Sequence, residues 1–399
     1  MSTMPTTTKL VTSTLSAEDN KTKSTKGKVL VAMSGGVDSS VAAAILVEQG
    51  YEVVGITMQV WDYTQCDIEE GFGTCCSSMD VDDARQVAEK LNFPFYVMNC
   101  EAKFKAQVID PFVEAYLEGK TPLPCVNCNT YLKFDHLIQK MNELGCDYLA
   151  TGHYAKIVVD ANGQSQIVVS DDDWKDQTYF LFTLQQDIIP KILFPIGHMK
   201  KADVRALGER QGLLNARKKD STGICFVGDG KYSEFVEGQI SKDLIQSGFM
   251  KKYPTGEIVG KHGGIHKFTY GQRKGLGLDF QEAEPMFVLK LDPKTSTVWV
   301  GEEKYLFYDK AHIINTNWFD DIQETEELNV KIRYQHKGAQ AKIRKNDDGS
   351  AEIYFDIPVR AITPGQAAVV YRGNQLLGGG WITTVPLDTA AIGVTAAIM

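Results

Sequence analysis

Two sets of residues in this chain have types and spacing suited to chemistry. The first is Ser34-Gly35-Gly36-Val37-Asp38-Ser39-Ser40, set between the apolar run Val29–Met33 and the helical stretch Ser39–Gln49. Glycines allow a sharp turn and a close approach of backbone to a ligand. Backbone N–H groups at the helix start then face an anion, with the helix dipole in its favour. Ser34, Ser39 and Ser40 add hydroxyl donors. This reads as a phosphate cradle. It is not a Walker A loop, because no GxxxxGK[ST] is present and no Lys lies within it. Asp38, a short acid beside the cradle, is either a direct or water-mediated metal contact or the helix N-cap.

The second set is thiols. There are eight, Cys66, Cys75, Cys76, Cys100, Cys125, Cys128, Cys146 and Cys225. Cys128 precedes a predicted helix over Thr130–Leu144, where the dipole would lower a thiol pKa. Cys225 follows Lys218, Lys219 and a Ser221-Thr222-Gly223 turn, again an electropositive setting. A Cys persulfide is a soft sulfur nucleophile, and a second Cys can resolve it by disulfide exchange. Cys125-x-x-Cys128 is not half of a zinc ribbon, because no second CxxC exists, and its flanks do not match a thioredoxin-like pair. With Cys225 it makes three thiolates, which leaves open a [4Fe-4S] cluster with one iron for sulfide. Cys66, Cys100 and Cys146 lack such settings and read as structural.

Parallel strands and helices must position these groups. Strands are expected at Val29–Met33, Glu52–Met58, Phe95–Asn99 and Tyr148–Gly152, with helices at Ser39–Gln49, Asp80–Leu91 (Asp80 as N-cap), Phe104–Leu117 and Thr130–Leu144. That alternation predicts an α/β domain, a doubly wound parallel sheet covered on both faces, over residues 28–225. Residues 226–288 are Gly-rich and basic and read as a small linking domain. Short strands with turn signals follow, at Phe287–Leu291, Thr297–Val300, Val330–Tyr334, Ala341–Arg344, Ile353–Ile357, Gln366–Tyr371 and Gly378–Thr383, with a hairpin turn at Asp347-Asp348-Gly349. They predict an all-β domain, a barrel or sandwich, over 289–385. Residues 1–27 and 386–399 read as polar and C-terminal tails.

The chain has 399 residues and a net charge of −9, with 43% hydrophobic and 23% charged residues, an ordinary globular composition. No apolar run approaches the roughly 20 residues of a membrane helix. The first 28 residues lack an apolar core and any Arg, and include Glu18 and Asp19, so neither a secretory nor an organellar signal is expected and the thiols are read as cytosolic. An acidic protein is no general nucleic-acid binder. Yet Lys331–Lys345 holds six Lys/Arg and no acid, and Lys251–Lys274 six against one Glu, which predicts a localised polyanion site.

The motifs carry a resemblance. Ser34–Ser40 resembles the PP-loop of the ATP pyrophosphatases, which adenylate a carbonyl oxygen and release pyrophosphate in a HUP-like α/β domain. Further matches, in order along the chain, are Thr121-Pro122-Leu123-Pro124-Cys125-Val126-Asn127-Cys128-Asn129 with Lys133-Phe134, Ala150-Thr151-Gly152-His153-Tyr154, and Asp173-x-Lys175-Asp176-Gln177-x-Tyr179-Phe180. Lys218–Phe226, Gly271–Gly277 and Thr363-Pro364-Gly365-Gln366 continue the series. Together they resemble the tRNA-uridine 2-sulfurtransferase family from about residue 28 to 383.

The resemblance implies ATP-dependent 2-thiolation of the wobble uridine (position 34) of tRNA in the cytoplasm, giving AMP and pyrophosphate, with a sulfur-donor protein as partner and no membrane. It assigns Ala32, Met33, Ser34, Gly35, Gly36, Val37, Asp38, Ser39 and Met58 to ATP, with Gly152 against the nucleotide and Mg²⁺ screening the pyrophosphate. It casts Cys128 as nucleophile and Cys225 as persulfide carrier, a pair that would pass through a disulfide. Leu123, Pro124 and Cys125 fall near the target base; Lys175, Asp176, Gln177, Arg333, Tyr334 and Gln366 fall on tRNA. His153 is assigned to the flipped nucleotide, with a satisfied buried histidine as the open alternative. Cys125 stands where many relatives have Asp. Cys75-Cys76-Ser77 either closes over the site or is a flexible loop. Two other readings fit parts of the chain: a PP-loop enzyme acting on a small molecule, which needs neither Cys225 nor the basic stretches, and a non-enzymatic RNA-binding protein with a degenerate nucleotide fold.

Overall fold

The structure is a computed structural model that describes residues 26–61, 78–220, 223–227, 231–278, 284–383 and 387. The expected tails over 1–27 and 386–399, apart from residues 26, 27 and 387, and Cys66, Cys75, Cys76 and Ser77, lie outside the described residues.

The first domain is built on β1 (Lys28–Ala32), β2 (Glu52–Gln59), β3 (Phe95–Asn99) and β4 (Tyr148–Thr151), with the hairpin β5 (Lys156–Val159) and β6 (Ser165–Val168) and the short β7 (Ile192–Leu193). The sheet runs β3-β2-β1-β4-β7, all parallel. β1 is central, and Val29, Leu30 and Val31 are each fully buried. A continuous apolar run of this kind is what a parallel strand covered on both faces requires. Helices α1 (Val37–Glu48) and α2 (Ser78–Lys90) start close to the expected places. Asp80 lies in the first turn of α2 rather than capping it.

Two long helical runs cover the other side. One joins Glu101–Phe104, a π-turn segment Lys105–Ile109 and Asp110–Leu117. The other joins Pro124–Asn127, a π-turn segment Cys128–His136 and Leu137–Glu143. The second run starts earlier than the sequence suggests. Pro124 occupies the first helical position, where its fixed φ and missing N–H cost nothing. Cys128 is therefore one turn inside the helix and not ahead of it.

The middle unit holds β8 (Gly248–Lys252), β9 (Ile258–His262), β10 (Phe287–Asp292) and β11 (Thr297–Gly301), in the order β10-β11-β8-β9. The two strands that the sequence reading places in or against the C-terminal β domain, β10 and β11, thus pair here, β11 running parallel to β8 from Thr297↔Phe249 to Val300↔Lys252. Strand propensity marks a strand but not its partner.

The C-terminal unit is a closed antiparallel barrel. Its strands are β12 (Phe307–Trp318), β13 (Leu328–Lys331), β14 (Ala339–Lys345), β15 (Ala351–Arg360), β16 (Ala367–Arg372) and β17 (Gln375–Ile382). The order is β12-β15-β14-β13-β16-β17, and β12–β17 pairing closes it, which removes open sheet edges. β12 has no counterpart among the expected strands, because a register shift between Tyr308 and Lys310 and the left-handed Asn315 break its alternation.

The barrel is fused to the α/β domain. The β5–β6 hairpin continues the barrel sheet at Gln375↔Val168. Tyr179 Oη donates to Ala367 O at 2.9 Å, and Asn317 Nδ2 donates to Phe182 O and Leu184 O, each at 2.7 Å. One apolar cluster contains Leu30, Phe134 and Tyr179 from the first domain and Ala367, Val369, Tyr371 and Leu376 from the barrel. Each such large side chain contributes about 1.5–3 kcal/mol on burial, so the two units hold a fixed relation around the site.

Candidate functional site

The phosphate cradle forms as the spacing predicts. β1 ends at Ala32 and α1 begins at Val37, with Gly36 as N-cap and no side chain capping the helix. The first-turn N–H groups therefore have no capping side chain competing with an anion for them. Gly35 has φ +72°, and a Cβ there would meet Asp80 O at 2.2 Å. Only glycine fits this approach of α2 to the loop. Gly152, at the end of β4, is as tightly placed: its Cβ would lie 2.6 Å from Ser39 N. Met33, the first residue after β1, and Met58, near the end of β2, are both buried, Met33 against α1 and α2 and Met58 in the cluster of the two long helical runs, with Met33 N donating to Ile56 O.

The hydroxyls divide their work. Ser34 is exposed and accessible to a ligand, and its backbone N–H donates to Ser39 Oγ at 3.2 Å. Ser39 and Ser40 both donate to Gly36 O, at 3.2 and 3.0 Å. Ser40 is fully buried and also accepts from Asn215 Nδ2, which bonds Gly35 O as well. Ser40 thus shapes the loop, a correction to its expected role as a phosphate donor.

Asp38 lies in the first turn of α1 and is not its N-cap. Lys201, at the start of the helix Lys201–Arg210, donates to both Asp38 oxygens at 2.8 Å, and Tyr154 Oη donates to Oδ1 at 2.8 Å. Burial, then Asp38, pushes the Tyr154 hydroxyl far above its usual range, so it stays a donor. The same Lys201 ammonium is 2.8 Å from Asp220. Asp220 also receives Lys175 at 2.6 Å and Arg205 at 2.8 Å. Burial alone would raise the Asp220 carboxyl; the hydrogen bonds from Lys175, Lys201 and Arg205 override it and hold it well below the carboxylate range. Asp220 is five residues before Cys225. Next to it Lys218 binds Asp80 and Asp83 on α2. A chain of ion pairs thus runs from the cradle to the segment carrying Cys225. Lys201 and Arg205 were not foreseen, since nothing local in Lys200-Lys201-Ala202 marks them.

The thiols sit against one core. Cys128 and Cys225 are both half-buried and pack on the same apolar cluster as Phe226, Val126 and Leu132. Phe226 anchors its segment through edge contacts to Phe104 and Phe112 with centroids 5.5 and 5.1 Å apart. Cys125 is exposed at the start of the helix, after Leu123, the N-cap, and buried Pro124. Cys100 is buried, and burial pushes its thiol up to about 11, which suits the inert role expected of it.

The barrel also touches this loop. Gln366 Nε2 donates to Thr121 O at 3.0 Å, and Thr121 N donates to Pro364 O at 2.8 Å. Gly365, at φ +86°, lets the turn approach: a Cβ there would meet Thr121 O at 3.0 Å. Gln366, expected on tRNA, is placed to hold the loop that leads to Cys125 and Cys128.

Of the other expected tRNA residues, Lys175 is partly exposed, while Asp176 is buried, accepting from Ser170 N and Thr178 Oγ1, with Lys331 at 4.0 Å. Gln177 Oε1 accepts from Tyr154 N at 2.9 Å. Arg333 is half-buried and donates to Arg360 O, and the Tyr334 ring lies 4.6 Å from Phe180. His153 is buried between Phe134 and Phe194, with Nδ1 2.7 Å from Thr151 Oγ1. That geometry is the satisfied-histidine alternative.

Burial, and after it Lys133, holds His153 well below its usual pKa. The unfolded chain takes up this proton near pH 6.5 while the folded chain does not, so stability falls as pH drops below that value, by at most about 1.4 kcal/mol per pH unit for this group. Urea midpoints between pH 7.5 and 5.0 should show this slope. It should be shallower in His153→Gln, though not flat, because His136, His262 and His336 are also held low by burial. An unchanged slope would show that His153 is not the titrating group.

The donors do not suit a protein-bound metal. Asp38, Asp80, Asp83 and Asp220 are all held by lysine or arginine. Among the described residues no three His, Cys, Asp or Glu side chains are placed to hold a metal ion. Cys125, Cys128 and Cys225, the open cluster alternative, are thus not gathered into such a set, and Asp38, the open metal contact, has both carboxylate oxygens bonded to Lys201.

Residues 27–229 match a family model described as tRNA methyl transferase HUP domain, 233–302 one described as tRNA methyl transferase PRC-barrel domain, and 308–382 one described as aminomethyltransferase beta-barrel domain. The chain is 47% identical to the tRNA-specific 2-thiouridylase MnmA of Geotalea uraniireducens, over 92% of this chain and 96% of that protein. It is 46% identical to the MnmA of Carboxydothermus hydrogenoformans, over 89% and 97%, and 44% identical to that of Lachnoclostridium phytofermentans, over 89% and 99%. Among solved structures, a 4-thiouridine synthetase–RNA complex with bound ATP aligns at a TM-score of 0.32 and 15% identity over 55% of this chain and 51% of that one, a likeness too remote to bear on activity. With all three domains matched in order and identity near one half over nearly the full length, this chain belongs to the tRNA-specific 2-thiouridylase MnmA family.

Proposed function

We propose that this protein thiolates carbon 2 of the wobble uridine, position 34, of tRNA in an ATP-dependent reaction. The observation that carries the reading is the joining, by one chain of ion pairs and one core, of a phosphate cradle to two half-buried cysteines in a chain of this family.

In this reading the backbone and hydroxyl groups of Ala32 to Ser39 hold ATP, and Met58 and Gly152 pack against it. The uridine 2-oxygen attacks the α-phosphorus, and pyrophosphate leaves. Lys201 transfers part of its ion pairing from Asp38 to the departing phosphates. Mg²⁺, if bound with the nucleotide, would screen the charge of the departing pyrophosphate. The terminal sulfur of a Cys225 persulfide attacks carbon 2, and AMP departs. The Cys128 thiolate then attacks the Cys225 sulfur, releasing the thiocarbonyl and leaving a Cys128–Cys225 disulfide, which an external thiol reduces. The persulfide comes from a sulfur-donor protein in the cytoplasm.

Leu123, Pro124 and Cys125 face the target base, which is unpaired in the anticodon loop and costs only a few kcal/mol to splay out. Lys175, Arg333 and Tyr334 contact tRNA, with the run Lys331–Lys345 on its backbone. Asp176, Gln177, His153 and Gln366 position these groups through the contacts described above.

Nucleoside mass spectrometry after incubation with ATP, a sulfur source and unmodified tRNA tests the reading. 2-Thiouridine at position 34 is expected, with pyrophosphate release dependent on tRNA. Pyrophosphate release that ignores tRNA would favour the small-molecule alternative instead.

A further inference from the structure

The geometry points to Trp174 as a stacking platform for an unpaired base of the tRNA substrate, an inference that rests on the tRNA reading above. Trp174 is 92% exposed, whereas Trp61, Trp299, Trp318 and Trp381 are all half-buried. Its exposure is not that of a loose loop. Asp172 Oδ1 accepts from Trp174 N and Lys175 N, each at 3.2 Å, and Asp172 Oδ2 accepts from Lys201 N at 2.8 Å. Ser170 Oγ donates to Asp172 O at 2.9 Å, and Asp171 N to Gly197 O at 3.0 Å. The backbone is fixed on both sides of a side chain that the fold leaves in water.

Its position supplies the ligand. Through Asp172 the turn is tied to Lys201, whose ammonium holds Asp38 at the phosphate cradle. Two residues further on, Asp176 lies 4.0 Å from Lys331, the first cation of the basic barrel run. Trp174 therefore stands between the cradle and the basic strands, where an RNA reaching from one to the other must pass. Asp171, Asp172 and Asp173 beside it disfavour phosphate, so the group that meets the indole is a base face and not the backbone. Stacking on aromatics tolerates any base, because every base has a π face.

The test uses the full chain and unmodified tRNA. Trp174→Ala should weaken tRNA binding by about 5- to 150-fold, the worth of one base–aromatic stack. Trp174→Tyr should stay within about threefold of wild type, because a ring remains to stack. The loss in Trp174→Ala should be the same at low and high salt, unlike that of a phosphate contact. tRNA should quench tryptophan emission in the wild type, and Trp174→Tyr should lose that quench. Wild-type affinity in Trp174→Ala would overturn the proposal. So would unchanged tRNA binding and unchanged thiolation from a small-molecule persulfide with a fall only when a protein supplies the sulfur, which would make Trp174 a protein contact. A wild-type protein that binds no tRNA at all would overturn the functional reading as well, so the two failures are distinguishable.

Discussion

Cys128→Ser and Cys225→Ser each stop tRNA thiolation, by about 10³-fold or more, while Cys125→Ser stays within about threefold of wild type. The first two losses are large because each residue acts in a covalent step, where a hydroxyl cannot replace the thiol and residues that act as a unit fail together. Cys125 is exposed and takes no covalent part in this route, and serine keeps a small polar group of nearly the same shape facing the base. Serine is nearly isosteric, so all three variants should melt close to the wild type. The two losses should also differ in kind. Cys225→Ser cannot accept a persulfide, so no protein-bound sulfur label appears. Cys128→Ser takes up the label but does not complete transfer. The measurements are nucleoside mass spectrometry, retention of labelled sulfur on the protein, and iron analysis of protein purified without oxygen. A full iron complement together with an inactive Cys125→Ser would replace the persulfide route by a cluster.

The second large effect belongs to Lys201. Lys201→Met should lower tRNA-dependent pyrophosphate release by about 10²–10³-fold, the usual cost of removing one donor from a site of developing negative charge. The Lys201 side chain is 13% exposed and that of Asp38 is 32% exposed, so the single variant also leaves a half-buried carboxylate without its cation. Lys201→Met combined with Asp38→Asn removes that imbalance. If the lysine serves only to hold the loop together, the double variant recovers both melting temperature and rate. If its charge is needed by the departing pyrophosphate, the double variant recovers stability and stays slow. Recovery of rate in the double variant would refute the role proposed for Lys201.

Much of this protein is written locally in its sequence. The buried run Val29–Val31, the glycines after it and the apolar helix that follows specify a parallel strand, a tight turn and an anion-facing helix start by nearest-neighbour sterics and periodicity alone. The same is true of the Asp347-Asp348-Gly349 turn, where Gly349 takes φ +79° between β14 and β15. The cysteines were visible as residue types, and their motifs named the family. Contacts across the chain were not visible. Lys201 meets Asp38 across 163 residues and Gln366 meets Thr121 across 245, and no spacing rule in one sequence predicts such pairs. Tertiary packing also decided that β10 pairs with β11, and β11 with β8, and neither with the barrel, because strand character is a property of a segment while its partner is a property of the whole chain. The thiol-bearing helix is set by both levels: Pro124 starts it locally, and only the packing of its buried face on the shared core brings Cys128 to the side where Cys225 lies.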